Sequence, residues 1–162
     1  IQFNSIQFNS IPKIISLIAL LFLLSFLISC SNEGKTGGGT GETTEIGNFH
    51  PPIATYRDPQ LSEYRDSDTT ITTAGGKTKI KGMAKRFEGG DVRAQNFEFE
   101  VSKWKKTVKG GKTTLESVAG NITNLVYDYT DAIIIYYSDT QTLKITFKNA
   151  GDECSFNGTK QP

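Results

Sequence analysis

Ala132–Phe147 reads AIIIYYSDTQTLKITF, and this stretch decides the fold. Its second half alternates: Leu143, Ile145 and Phe147 are apolar, while Lys144, Thr146 and Lys148 are polar. A period of two is the mark of a strand with one face buried and one wet. Its first half, Ala132–Tyr137, is apolar at every position, so it predicts a central strand covered on both faces. Ser138–Gln141 between them is polar and short, as a hairpin turn requires.

Working outward, the same grammar repeats. Phe97, Phe99 and Val101 alternate with Glu98 and Glu100, and Thr69–Thr73 is rich in β-branched residues. Lys77–Phe87, Thr113–Val118, Ile122–Tyr129 and Glu153–Asn157 complete the predicted strands. Gly75-Gly76, Gly89-Gly90 and Gly110-Gly111 punctuate them as turns. No stretch after residue 30 has helical periodicity. The expectation is an all-β, antiparallel domain of about seven or eight short strands. A sandwich and a small barrel are both open. Its predicted extent is 69–162, preceded by a loop or extended linker over 49–68.

The N-terminal part is of another kind. Residues 1–10 are IQFNS twice over, and the first Met is Met83, so the repeat reads as lying upstream of the true start. Lys13 is followed by Ile14–Ile28, IISLIALLFLLSFLI, an uncharged run too short for a membrane-spanning helix, which needs about 20 apolar residues. A basic residue before such a run is the pattern of a helical signal peptide, here assigned to residues 1–29. Ser31–Asn48 is rich in Gly, Thr and Glu, and residues 30–48 are expected to be a flexible tether.

The run ends Leu27-Ile28-Ser29-Cys30, which resembles the lipobox of bacterial lipoproteins. The resemblance covers residues 13–30. It implies that the Cys30 thiol receives a diacylglyceryl group and that cleavage falls between Ser29 and Cys30. It also implies acylation of the new amine and a membrane as partner through the N-terminal lipid. A thiolate is the nucleophile such a transfer needs, and two or three acyl chains give stable anchoring. Ser31 rather than Asp after the cysteine points to the outer membrane. The Ile-, Lys- and Asn-leaning composition resembles small outer-membrane lipoproteins of spirochaetes.

Candidate chemistry elsewhere is thin. Gly-Lys-Thr occurs at 34–36, 76–78 and 111–113, but Ser29, Ile71 and Lys106 stand where a phosphate loop needs its first glycine. His50 is the single histidine, and Cys154 is the single cysteine besides Cys30. Zinc sites and histidine-based triads therefore lack their parts, so no catalytic residue, metal or cofactor is expected, and no enzyme. Asp128 and Asp131 flank Tyr129-Thr130 and read as a turn.

The formal net charge is only +1, which does not suit nucleic acid. The charge is uneven, with eleven basic residues against four acidic ones between 77 and 112. Lys103, Trp104, Lys105, Lys106 and Lys109 form a candidate basic patch for an anionic glycan, lipid or host-surface partner. The plainer reading is a solvated face whose lysines block edge pairing. Two functions stay open. One is a lipid-anchored surface protein with a non-catalytic binding or antigenic domain. The other is a periplasm-facing factor that binds or carries lipid or lipopolysaccharide, which the Gly120–Ile122 run resembles. A filled core favours the first, and an apolar cavity the second.

Overall fold

Eleven strands and one 3-10 turn make up residues 41–162, the part of the chain that the computed structural model describes. The segment expected to be a signal peptide and lipobox, Cys30 included, lies outside the described residues. The strands are β1 (Thr43–Gly47), β2 (Ala54–Arg57), β3 (Thr69–Ala74), β4 (Lys77–Glu88), β5 (Asp91–Val101) and β6 (Trp104–Lys109). They continue as β7 (Lys112–Ser117), β8 (Ile122–Asn124), β9 (Thr130–Tyr137), β10 (Thr142–Asn149) and β11 (Asp152–Lys160). The fold is all-β, every pairing is antiparallel, and no α-helix occurs among the described residues.

The strand order is β1-β6-β7-β9-β10-β11-β2-β3-β4-β5-β8. Two features close this ribbon toward a small barrel. First, β11 has two partners on one edge: Thr159 and Lys160 pair with Arg57 and Tyr56 of β2, while Cys154 and Ser155 pair with Arg86 and Lys85 of β4. Second, β5 runs on into β6 and β7 into β8 as the two arms of a single bent hairpin. Ser102 N donates to Asn121 O at 3.0 Å and Val118 N to Lys103 O at 3.2 Å across the bend. The hairpin's near half joins β9 and its far half joins β4.

The Gly-Gly turns work as their residue type dictates. Gly110 and Gly111 have φ of 56° and 76° between the paired Lys109 and Lys112. Two consecutive positive φ values define the tight hairpin turn whose twist matches the strands, and glycine adopts them without strain.

The core is aromatic. Trp104, Tyr56, Phe97, Phe99 and Phe156 are fully buried beside Ile71, Ile80, Ile134, Leu143 and Ile145. Phe99 meets Phe147 edge-on at 5.3 Å, and the Tyr129 and Phe147 ring centres are 4.5 Å apart. Burial pushes the Cys154 thiol up to about 11 and the Tyr129 phenol up to about 12. The folded domain therefore keeps protons that the unfolded chain gives up, starting at the ordinary thiol value of 9.0. The contribution of these two groups to stability is fully present below about pH 9 and is lost as pH rises through the folded values. Urea midpoints measured from pH 7 to 11 should stay level and then fall; a rise above pH 9 would contradict this burial effect.

Several expectations change. The domain starts at Thr43, not Thr69. Tether residues Thr43–Gly47 are strand β1, paired with β6 from Thr43↔Val108 to Gly47↔Trp104. The 49–68 linker supplies Tyr56, Asp58 and Leu61 to the interior. Ile122–Tyr129 is a strand only to Asn124, after which residues 125–127 bend away. β9 is central by pairing, between β7 and β10, yet Ile133 on its outer face is 48% exposed, because the sheet has only one covered side there.

Candidate functional site

The lysine patch comes apart when its side chains are placed. Trp104 leaves it altogether: the indole is fully buried, and its Nε1 donates to the Thr78 hydroxyl at 3.0 Å. That hydroxyl also lies 2.9 Å from His50 Nδ1. An indole N–H can only donate, so the Thr78 hydroxyl accepts from Trp104 and its oxygen joins the buried indole to the His50 ring.

The lysines themselves meet local partners. Lys106 pairs with Glu45 at 2.9 Å, Lys109 with Glu42 at 3.2 Å and Lys105 with Glu116 at 3.1 Å. Lys103 donates to Asn48 Oδ1 at 2.8 Å, and Lys106 also sits 5.0 Å from the centre of the Phe49 ring. Each exposed pair contributes roughly 0–1 kcal/mol. Together they cancel most of the positive field, because β1 brings Glu42 and Glu45 against β6. The edge is thus a solvated, self-neutralised one.

A groove lies instead on the outer face of β3, β4 and β5. Loop 62–68 rises on one side and loop 125–128 on the other. Thr70, Lys81, Asn96 and Glu98 form the floor, Asp66 and Asp68 one wall, and Val126 and Tyr127 the other, around about 400 Å³. Gly82 also lines the floor. Two clefts adjoin it. One, of about 410 Å³, shares Val126 and Tyr127 and continues to Asn124 and Asp128. The other, of about 310 Å³, shares Asp66 and Asp68 and continues to Arg57 and Tyr64.

Local physics explains both walls. Asp58 caps the Pro59–Leu61 turn by accepting from Gln60 N at 2.9 Å, and Leu61 anchors that loop in the core. Arg57 clamps Asp68 with two hydrogen bonds of 2.8 and 2.7 Å, and these hold its carboxyl below the usual carboxylate range. On the other side, Leu125 N donates to Glu98 O at 3.0 Å, and Asn124 Nδ2 to Tyr129 O at 2.7 Å. The Tyr129 hydroxyl then donates to Asn96 O at 2.6 Å. Leu125, Val126 and Tyr127 are 43%, 49% and 53% exposed, three consecutive large apolar residues turned to water on a loop tied down at both ends.

Sequence reasoning missed this site. Ile122–Tyr129 reads as strand throughout, which puts Val126 and Tyr127 in a sheet rather than on a loop. Asp66 and Asp68 fall in a linker. The usable signal was the pairing of polar Asn and Asp with large apolar residues in NLVYDY, which departs from period two. No family model matches the chain, and no curated protein or solved structure is similar to it at a significant level.

Proposed function

We propose that this chain is a bacterial envelope lipoprotein, anchored at the outer membrane through Cys30, whose β domain is a non-catalytic binding module facing the outside. The observation that carries the binding half is the filled interior. The barrel is packed with aromatic and aliphatic side chains, and the groove over β3, β4 and β5 with its two adjoining clefts, of about 310 to 410 Å³, lies on the outside. A carrier of lipid or lipopolysaccharide calls for an apolar interior cavity, so the packing favours recognition at the surface.

The anchoring half rests on the lipobox Leu27-Ile28-Ser29-Cys30. With β1 beginning at Thr43, residues 31–42 are left as the link between lipid and domain. The test has two parts. Mass spectrometry of the purified mature protein should find a diacylglyceryl-modified N-terminal Cys30, and Cys30→Ser should abolish the modification. Protease added to intact cells should remove the domain. An unmodified Cys30 would sink the anchor, and protection until the envelope is opened would sink the outward orientation.

A further inference from the structure

We infer that the groove between loops 62–68 and 125–128 binds an uncharged oligosaccharide. The inference deepens the reading of the domain as a binding module, on which it rests, by naming a ligand class.

The chemistry of the walls selects the class. Asp66 and Glu98 have no ion-pair partner among the described residues, whereas Asp68 is already held by Arg57. With Arg57 set against Asp68 and Lys81 beside Asp66 and Glu98, the walls keep a net charge of −1, which disfavours sulfated or phosphorylated chains. Acceptors and donors nevertheless alternate across the floor: Glu98 accepts, Lys81 donates, and Asn96 and Thr70 do both. A sugar hydroxyl likewise donates and accepts at once, so a run of hydroxyls satisfies such a floor where a purely cationic or purely anionic ligand leaves half of it unpaired.

The apolar wall supplies the other half. Tyr127 is 53% exposed, its ring 5.5 Å from that of Tyr129, and it offers a flat face to the C–H side of a pyranose ring. Peptide recognition by strand addition needs a free backbone edge. The floor strand β4 is paired with β3 along one edge and β5 along the other, so it has none to offer at Lys81. The three adjoining clefts form a track rather than a single hole, which suits a linear chain of several rings.

The full chain in detergent micelles, applied to an array of immobilised neutral, amino-substituted and sulfated oligosaccharides, provides the test. Binding to neutral glycans of four or more rings is expected. Tyr127→Ala and Glu98→Gln should each weaken it at least tenfold with an unchanged melting temperature, and Lys109→Gln should leave it unchanged. Retention by sulfated chains alone, by none of the neutral glycans, or to an extent indifferent to both groove variants would overturn the inference. A periplasmic location combined with neutral-glycan binding would overturn the outward orientation and leave this assignment standing. The reverse pattern would do the opposite.

Discussion

Asp58→Ala should cost the domain about 3–5 kcal/mol, the usual penalty for stripping one partner from a buried ion pair. Asp58 is 2% exposed and Lys85 8%. Their charged atoms are 3.3 Å apart, Lys85 also bonds the Gln60 carboxamide oxygen, and Asp58 accepts the Asn157 backbone N–H at 2.9 Å. One carboxylate thereby ties the 3-10 turn to β4 and β11. Removing it leaves the Lys85 ammonium under the loop with no counter-ion, and leaves the Gln60 and Asn157 amides without acceptors. For a domain of this size the loss lowers Tm by roughly 10–20 °C. Thermal melts followed by the fluorescence of Trp104, the single tryptophan, will measure it. The double variant Asp58→Leu/Lys85→Met should recover much of the stability, because an apolar pair needs no desolvation of charge. A loss under about 1 kcal/mol for Asp58→Ala would mean that Lys85 reaches water and that the loop is held by Leu61 alone.

Gly82→Ala is the second large effect, at about 3 kcal/mol. A Cβ at position 82 would run into Thr69 Oγ1 and lie 2.8 Å from the Thr69 Cα. The first overlap is with a side chain and the second with backbone, so rotating Thr69 cannot clear both. β3 and β4 must part, and they part beneath the groove floor. Thr69→Gly placed in the same chain should relieve only a share of the strain, because the overlap with the backbone of residue 69 remains. Thr69→Ala alone should be close to neutral, since its buried hydroxyl has no hydrogen-bond partner and its loss strands no other group. Urea midpoints of the three variants decide the matter: a Gly82→Ala variant as stable as the parent would show the two strands yielding freely.

The class of fold was legible because its signals are local. The Leu143–Phe147 alternation became β10, with Leu143, Ile145 and Phe147 inside. Phe97–Val101 behaved the same way within β5. The Gly-Gly pairs fell at hairpin turns because positive φ is a property of the residue itself. The strands that escaped notice lack that alternation. β1 is exposed along most of its length, held by ladder hydrogen bonds that leave no hydrophobic trace. β6 buries only Trp104 fully among its lysines, so WKKTVK shows no period of two. β2 is four residues long, beside two prolines, and its burial depends on partners far along the chain.

The candidate site shows the limit most clearly. Charge along the chain suggested a basic face, but charge in space depends on which acids fold back against it, and Glu45 stands 61 positions from the Lys106 it neutralises. Arg86 and Asp152, 66 positions apart, meet at the β4–β11 junction by the same long-range logic. The groove joins loops far apart along the chain, one after β2 and one after β8. By itself, then, the sequence determined the periodicity, the turns and the all-β class, because backbone preference and side-chain alternation act over a few residues. Only the tertiary structure decided that Trp104 is core, that the lysine edge is neutral, and that Asp66, Glu98 and Tyr127 share one groove. Burial and electrostatic pairing are set by distance in space, which a β fold of long-range pairings separates almost wholly from distance along the chain.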